Sequence, residues 1–159
     1  MSVISANKHL IGYLTAALIT ATATFEGTRY YAYYDVVGVP TVCQGYTGKG
    51  IVFGKKYTQE ECKRYLETEL KEHSLGMLNC VKVPLSDGEY IAYTMFAYNV
   101  GVNAFCTSKS VAAKLNSGDR EGACDGLLKW VYAGGVFYKG LLNRRMYERA
   151  ICLGQQPAD

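Results

Sequence analysis

The sequence predicts an α+β fold: a small lobe with an antiparallel hairpin sheet, a long connecting helix and a mainly helical lobe, with a cleft between the lobes. Residues 35–57 combine β-branched residues with glycines, which is typical of a sheet of two or three short strands. Residues 58–80 have the pattern of a long helix, and residues 81–159 the pattern of several shorter ones. A chain of 159 residues fits a single domain over 1–159.

The composition supports a hydrophobic core and gives no sign of a nucleic-acid-binding or metal-binding protein. Apolar residues make up 49% of the chain and charged residues 19%. The net charge of +3 is too small to indicate a nucleic-acid partner, and the basic residues form no stripe. The sequence has no glycine-rich phosphate loop and no metal-ligand spacing. We therefore expect a monomer without nucleic acid, metal or cofactor.

Residues 1–25 contain an uncharged, weakly apolar segment, Leu10 to Phe25. As a helix it is about 24 Å long, which is less than the hydrocarbon core of about 30 Å. It fits a cleaved signal peptide, the first helix of the fold, or a segment that enters a membrane uncut and later leaves it. As a first helix, the core-facing residues are Leu10, Leu14, Ala17, Leu18 and Ala21, and the solvent-facing ones are Thr15 and Thr22. Cleavage after Ala23 ranks last, because Glu26 would then lose its helix.

Two acidic residues and a threonine follow this segment within residues 26–57. We expect Glu26 at the end of the helix, and Asp35 and Thr41 in the adjoining hairpin, so that two carboxylates and a hydroxyl can share a cleft. Such a pair suits glycoside hydrolysis. Glu26, beside Phe25, is the better candidate acid, and Asp35 and Thr41 are candidates to hold a water. On spacing alone, a helix-end charge and a turn residue are the simpler interpretation.

The pattern E-G-x-R-x-x-A-Y-x-D-x-x-G-x-x-T resembles the catalytic signature of the phage-type lysozymes, glycoside hydrolase family 24. It is carried here by Glu26, Gly27, Arg29, Ala32, Tyr33, Asp35, Gly38 and Thr41. The resemblance implies a lysozyme-like fold and hydrolysis of the β-1,4 bond between N-acetylmuramic acid and N-acetylglucosamine in peptidoglycan. Glu26 is then the acid, Asp35 and Thr41 position the water, and the course is inverting. The alternatives are a lytic transglycosylase and a non-catalytic wall-binding module.

Three further matches carry the resemblance downstream. The family usually has Gly-His-Thr where this chain has Gly45-Tyr46-Thr47, which puts a local polar pairing in question. Tyr98-Asn99-Val100-Gly101 matches a motif near the cleft, and the segment from Trp130 to Gly135 resembles a W-x-x-A-G-G loop. The candidate substrate-binding residues are Tyr33, Asn99, Trp130 and Arg145. Their simpler interpretations are a helix end for Asn99, core packing for Trp130 and a solvated helix face for Arg145.

The chain also resembles the signal-arrest-release subset of lambdoid phage endolysins, in which a weakly apolar segment directly precedes the catalytic Glu. This implies transient inner-membrane association through residues 10–25. It also implies release into the periplasm of the host bacterium, where the enzyme contributes to host-cell lysis.

The six cysteines favour disulfides over a zinc site, because no Cys-x-x-Cys pair occurs. Disulfides in turn indicate an oxidising compartment. Six cysteines allow 15 connectivities, and buried free thiols are an alternative. We expect three local bridges, which are Cys43 with Cys62, Cys80 with Cys106, and Cys124 with Cys152.

The helix predictions are specific. Thr58 and Glu61 form a capping box that opens a helix ending near Asn79. The segment Tyr90–Val100 is apolar all round, as a buried central helix would be. Shorter helices are expected over residues 108–116, 120–132 and 143–150.

Overall fold

The computed structural model describes residues 7–10 and 16–158. Two compact units emerge. The first, here called the hairpin unit, spans Leu14–Lys71. The second, the helical unit, combines Met1–Tyr13 with Glu72–Asp159. The boundary between the units falls inside the long helix that the sequence predicts.

The described residues form an α+β architecture, as predicted. In the hairpin unit, helix α1 (Ala16–Glu26) precedes strands β1 (Arg29–Tyr34) and β2 (Pro40–Cys43), and helix α2 (Gln59–Cys80) starts there and continues into the helical unit. The helical unit adds α3 (Asp87–Val100), α4 (Val102–Cys106), α5 (Ala112–Asn116), α6 (Arg120–Gly126), β3 (Tyr132–Ala133), β4 (Val136–Phe137) and α7 (Lys139–Cys152). Short 3-10 turns cover Lys8–Leu10 and Leu127–Lys129.

Helix α1 confirms part of the predicted burial pattern and corrects the rest. Leu18 and Ala21 are buried, as expected. Ala17 is exposed and Thr22 is fully buried, so both of those predictions are wrong. Thr22 tolerates burial because its hydroxyl donates to the Leu18 carbonyl at 2.8 Å. Leu14 and Thr15 lie outside the described residues.

The predicted membrane segment is only partly described, because residues 11–15 fall in the gap. Leu10 is buried, but it lies in a 3-10 turn and not in the helix. Within the ranges that the structure covers, no helix has both the length and the apolar character that crossing a bilayer requires.

The predicted hairpin is present, with β1 and β2 antiparallel and Tyr33 opposite Thr41. The first strand begins earlier than expected, at Arg29, and residues 36–39 form the turn. A third strand is reduced to an isolated bridge between Tyr31 and Lys56. The intervening segment turns repeatedly, and Gly45, Gly50 and Gly54 have positive φ there, which interrupts a regular ladder.

Helix α2 opens with the predicted capping box. The Glu61 amide donates to the Thr58 hydroxyl at 3.1 Å, and the Thr58 amide donates to the Glu61 carboxylate at 2.8 Å. Lys55 Nζ lies 2.7 Å from the same carboxylate. The hydrogen bond from Lys55, followed by that from the Thr58 backbone, lowers the pKa of Glu61 to about 2. The Glu61 carboxylate is therefore charged at neutral pH, as a helix N-terminus favours.

The predicted buried helix forms the centre of the helical unit. In α3, Tyr90, Tyr93 and Phe96 are fully buried, and Ser86 and Glu89 cap the helix reciprocally. Burial raises the pKa of the Tyr93 hydroxyl, whose oxygen lies 3.3 Å from Cys152 Sγ. This helix therefore provides the apolar surface on which the rest of the helical unit packs.

All three shorter helices differ from their predicted ranges, and the one expected over 143–150 is longer, at Lys139–Cys152. The helix expected over 108–116 begins only at Ala112, because the Ser108 side chain occupies the preceding turn and accepts the Ala112 amide hydrogen at 2.9 Å. The helix expected over 120–132 ends at Gly126 and continues as a 3-10 turn. Gly134 and Gly135, both with positive φ, then turn the chain between β3 and β4.

All six cysteines form the three expected local bridges. Cys43 bonds Cys62, Cys80 bonds Cys106, and Cys124 bonds Cys152. The first bridge joins β2 to α2 and the third joins α6 to α7. Each closed loop restricts the unfolded chain, which contributes roughly 2–4 kcal/mol to folding.

Helix α7 carries a buried cluster of charges. Arg145 is entirely buried, with Nε 2.8 Å and Nη2 2.9 Å from the two carboxylate oxygens of Glu148. Arg144 is also buried, and its Nε lies 3.6 Å from the same carboxylate. The guanidinium of Arg145 stands 4.9 Å from the centre of the Phe96 ring. The solvated helix face considered for Arg145 is therefore wrong.

We predict that Glu148→Gln destabilises the protein by about 3–5 kcal/mol, because it removes the carboxylate that pairs with two buried guanidinium groups. Urea unfolding measures this loss. The matched control is Asp125→Asn, which removes one carboxylate from the exposed pair with Arg149. That change should cost less than about 1 kcal/mol. Equal effects of the two substitutions would contradict the role of the buried cluster.

Candidate active site

Glu26 is placed by the way helix α1 ends. It is the last residue of the helix, and Gly27 follows with φ of 67°. The Gly27 amide donates back to the Ala23 carbonyl at 3.2 Å. A glycine in the left-handed conformation is a common helix terminator, since a Cβ would be strained there. The half-buried Glu26 side chain is consequently presented where the helix gives way to β1.

Glu26 and Tyr33 line one cavity of ≈ 370 Å³ in the hairpin unit. The other lining residues are Gly27, Thr28, Arg29, Cys43, Gln44 and Gly45. The Arg29 guanidinium stands 4.4 Å from the centre of the Tyr33 ring. The Gln44 amide donates to the Thr28 hydroxyl at 3.0 Å. A carboxyl group beside an aromatic ring, an amide and a guanidinium suits a ligand rich in hydroxyl and amide groups.

The floor of this cavity contains a strained residue. Cys43 is buried and has φ of 60°, unusual for a residue with a side chain. Such a conformation costs roughly 1–3 kcal/mol and persists only when its surroundings enforce it. Two constraints do so here. The disulfide to Cys62 holds the side chain, and Val42 exchanges two backbone hydrogen bonds with Tyr46, at 3.0 and 2.9 Å.

Tyr46, the residue that departs from the family pattern, is part of this support. Its ring stacks on Tyr65 of helix α2 with the centroids 4.0 Å apart, and its hydroxyl donates to the Lys49 carbonyl at 3.1 Å. A Cβ on Gly48 would lie 2.2 Å from the Tyr46 hydroxyl oxygen, so this packing requires glycine there. The tyrosine therefore has a local structural role.

Asp35 and Thr41 lie at the turn end of the same hairpin and are linked through Val39. One Asp35 oxygen, Oδ1, accepts the amide hydrogens of Val37 at 2.9 Å and Val39 at 2.8 Å. The Val39 carbonyl accepts the Asp35 amide hydrogen at 3.0 Å and the Thr41 hydroxyl hydrogen at 2.9 Å. Asp35 is half-buried and Thr41 buried. The turn thus fixes both groups relative to one another.

The other candidate residues belong to the helical unit. Asn99 is half-buried, and its carbonyl oxygen accepts a hydrogen bond from Arg145 Nη2 at 2.9 Å. Arg145 has no exposed surface, which a direct contact with a ligand would require. Trp130 donates its indole hydrogen to the Ser110 hydroxyl at 3.0 Å and meets Phe96 edge-on.

Arg29 and Gln44 line the cavity, but neither was among the candidate site residues from the sequence. Arg29 is part of the signature quoted above, so the sequence pattern could have identified it as a site residue. Gln44 follows a disulfide cysteine and has no pattern of its own. Only the hairpin register and the turn after Cys43 place it beside Thr28.

Comparison with known protein families gives a match that spans most of the chain. The family profile described as phage lysozyme matches residues 23–148, which include Glu26, Asp35 and Thr41. The chain belongs to the phage lysozyme family. It is a glycoside hydrolase of the endolysin type.

Individual relatives support the same assignment. A SAR-endolysin of bacteriophage PS119 is 48% identical over 80% of this chain and 76% of its own length. A SAR-endolysin of Enterobacteria phage P21 is 47% identical over 82% of this chain and 79% of its own. A mutant of P22 lysozyme has a similar structure, with a TM-score of 0.78 at 33% identity, covering 88% of this chain and 97% of that one. The lysozyme-like fold predicted from the sequence is confirmed.

We predict that Gly27→Ala destabilises this lysozyme by about 1–2 kcal/mol, because alanine strains the left-handed conformation although nothing lies within 4 Å of the added Cβ. Thermal unfolding measures the loss, and glycan hydrolysis should fall as Glu26 is displaced. Gly140→Ala is the matched control. That glycine is in helix α7, where an added Cβ meets open space and φ is not positive. Alanine should therefore stabilise the protein. A neutral Gly27→Ala would refute the proposed helix terminator.

Proposed function

We propose that Glu26 is the general acid in hydrolysis of the β-1,4 bond between N-acetylmuramic acid and N-acetylglucosamine. The observation that carries this proposal is its position, since helix α1 ends at Glu26 and presents it to a cavity with Tyr33. The carboxyl group donates its proton to the glycosidic oxygen as the bond breaks. The Tyr33 ring offers a flat apolar face to a sugar ring.

Asp35 and Thr41 hold and activate the attacking water in this proposal. Because Asp35 Oδ1 accepts two backbone hydrogens, Oδ2 is the oxygen available to accept a proton from water. The Thr41 hydroxyl has given its hydrogen to the Val39 carbonyl, so its lone pairs can accept the second hydrogen of the same water. The water oxygen then has a lone pair to direct at the anomeric carbon. This arrangement corresponds to an inverting glycosidase.

Asn99 and Trp130 remain proposed substrate contacts, whereas Arg145 is assigned a positioning role. The guanidinium holds the Asn99 carbonyl oxygen at 2.9 Å and is itself held by Glu148. Because Arg145 bonds the oxygen of the Asn99 amide, the amide nitrogen is the atom that can donate to a sugar substituent. This assignment replaces the direct substrate contact first expected for Arg145.

We further propose that the enzyme acts in the periplasm as a monomer, without a nucleic-acid partner, after transient association of residues 10–25 with the inner membrane. Two observations support the periplasmic location and the membrane association. Relatives at 47–48% identity are named SAR-endolysins, and three disulfides join all six cysteines, as an oxidising compartment permits.

We predict that Glu26→Gln lowers kcat on purified peptidoglycan by about 10²–10⁴-fold, because the amide cannot donate the proton that the leaving oxygen requires. Mass spectrometry of the released fragments measures turnover and identifies the products. Thermal unfolding should show little change in stability. The control is Glu60→Gln, which removes an exposed carboxylate from helix α2 of the same unit and should keep full activity.

Reducing muramic ends from wild type and from Glu60→Gln, but not from Glu26→Gln, are the expected products. Substantial hydrolysis by Glu26→Gln would overturn the assignment of the acid. Anhydro-muramic ends, together with full activity of Asp35→Ala, would instead identify a lytic transglycosylase, which needs no water.

A further inference from the structure

The turn of the β1–β2 hairpin exposes apolar side chains where a turn normally carries polar ones. Val36 and Val37 are the most exposed large apolar residues in the described part of the chain, at 103% and 78%. They are the two central residues of a turn that the Gly38 amide closes by donating to the Asp35 carbonyl at 3.0 Å. Turns favour Gly, Pro, Asn, Asp and Ser, whose backbone preferences or side-chain hydrogen bonds stabilise them. Valine offers neither advantage, so local folding gives no reason for two valines here.

An aromatic pair lies next to this turn and is also exposed. The Tyr34 ring stacks on Phe53 with the centroids 4.7 Å apart, and Val52, beside Phe53, is exposed as well. We call Tyr34, Val36, Val37, Val52 and Phe53 the apolar tip. Single exposed apolar residues are common on protein surfaces, whereas a group of them indicates an interaction surface.

The aromatic pair and the cavity that contains Glu26 belong to opposite faces of β1. Successive side chains of a strand point to opposite faces of the sheet. Tyr33 lines the cavity and is opposite Thr41, and the next residue, Tyr34, is opposite Pro40. Tyr34 therefore points away from the cavity. A partner that binds the apolar tip through Tyr34 leaves Tyr33 uncovered.

Basic residues surround the apolar tip in the sequence, and little negative charge offsets them. Between residues 27 and 59 the chain has four basic residues and a single acidic one, Asp35. Lys55 is paired with Glu61, but neither Lys49 nor Lys56 forms an ion pair within the described ranges. Both of these lysines are exposed and lie in the loop that carries part of the apolar tip. Exposed apolar side chains beside unpaired ammonium groups are typical of surfaces that bind anionic bilayers.

We propose that the apolar tip docks on the surface of an anionic phospholipid bilayer. The two valines of the turn enter the edge of the acyl region, and Tyr34 and Phe53 lie at the level of the headgroups, where aromatic rings are favoured. Lys49 and Lys56 approach the lipid phosphates. This docking surface is separate from residues 10–25, and it does not depend on which residue is the catalytic acid. Shallow binding of this kind is reversible and needs no spanning segment.

Two other partners fit the apolar tip less well. A glycan needs hydrogen-bonding groups beside an aromatic ring, and the valines supply none. The stacking of Tyr34 on Phe53 also covers one face of each ring. A second copy of the chain would need a larger surface, because a stable protein interface takes roughly 20–30 residues a side and the apolar tip has five.

Flotation of the full-length protein with vesicles tests the docking. We expect binding to vesicles made of equal parts phosphatidylglycerol and phosphatidylcholine. The Val36→Ser, Val37→Ser pair should bind about 10-fold more weakly, because two side chains no longer enter the acyl region, while the backbone hydrogen bonds of the turn remain. The matched control is Val136→Ser with Met146→Ser, which removes two exposed apolar side chains of the helical unit and should bind as wild type does.

The charge of the lipid provides a second measurement. Lys49→Ala with Lys56→Ala should weaken binding to the anionic vesicles about 20-fold, because each lysine near such a surface contributes to binding. The effect should shrink as salt rises. On vesicles of phosphatidylcholine alone, this pair should equal wild type. Lys82→Ala with Lys139→Ala is the matched control, since it removes two exposed lysines of the helical unit.

Val36→Trp reports insertion directly and does not weaken the apolar tip. The natural chain has a single tryptophan, Trp130 in the helical unit, which gives the background signal. The added indole should shift its emission to the blue with anionic vesicles and lose intensity when the acyl chains are brominated. Wild type should change little. If the valine pair fails to fold, this measurement decides the proposal.

Equal vesicle binding by wild type and by the Val36→Ser, Val37→Ser pair would overturn the proposal and assign lipid binding to residues 10–25. Absence of vesicle binding, or an unquenched Val36→Trp emission, would also overturn it. Binding of isolated glycan strands that the valine pair loses would identify a sugar surface instead, and dimerisation that the pair loses would identify a second copy as the partner.

Discussion

The hairpin turn depends on one carboxylate oxygen. Val36 and Val37 are 103% and 78% exposed, so burial of apolar surface contributes almost nothing to holding residues 36–39. The turn is held instead by Asp35, whose Oδ1 accepts two amide hydrogens, and by the Val39 carbonyl, which accepts two hydrogens in return. The same contacts fix the Asp35 carboxylate and the Thr41 hydroxyl. The contacts that stabilise the turn therefore also place the two groups that we propose to hold the attacking water.

The other end of the hairpin is held by backbone conformations that few residues adopt. Gly27 ends helix α1 with a positive φ, and Cys43 has a positive φ where β2 ends. Glycine adopts this conformation without strain, whereas the cysteine is held by its bond to Cys62 and by the turn with Tyr46. Glu26, Gly27 and Cys43 line the same cavity, so these two backbone conformations help to fix its shape.

Much of this could be predicted from local sequence, because local interactions determine it. The capping box of Thr58 and Glu61 involves neighbouring residues. The segment Tyr90–Val100 is mostly apolar around the whole helix, which favours burial on every side. The burial of Arg145 could not be predicted, because a charged helix residue is normally solvated. It depends on Glu148 and on Asn99, 46 residues away. Thr22 was misplaced for a similar reason, since a hydrogen bond to its own helix permits burial.

The central claim is that Asp35 and Thr41 hold the attacking water on the face of the sugar opposite the Glu26 carboxyl group. The most direct test is proton NMR of the muramic reducing ends during the first minutes of hydrolysis, before mutarotation equilibrates them. An inverting enzyme acting on a β-linked glycan releases the α-anomer first, and the account predicts that result. Initial release of the β-anomer would indicate a covalent intermediate or attack from the same face, and would contradict it.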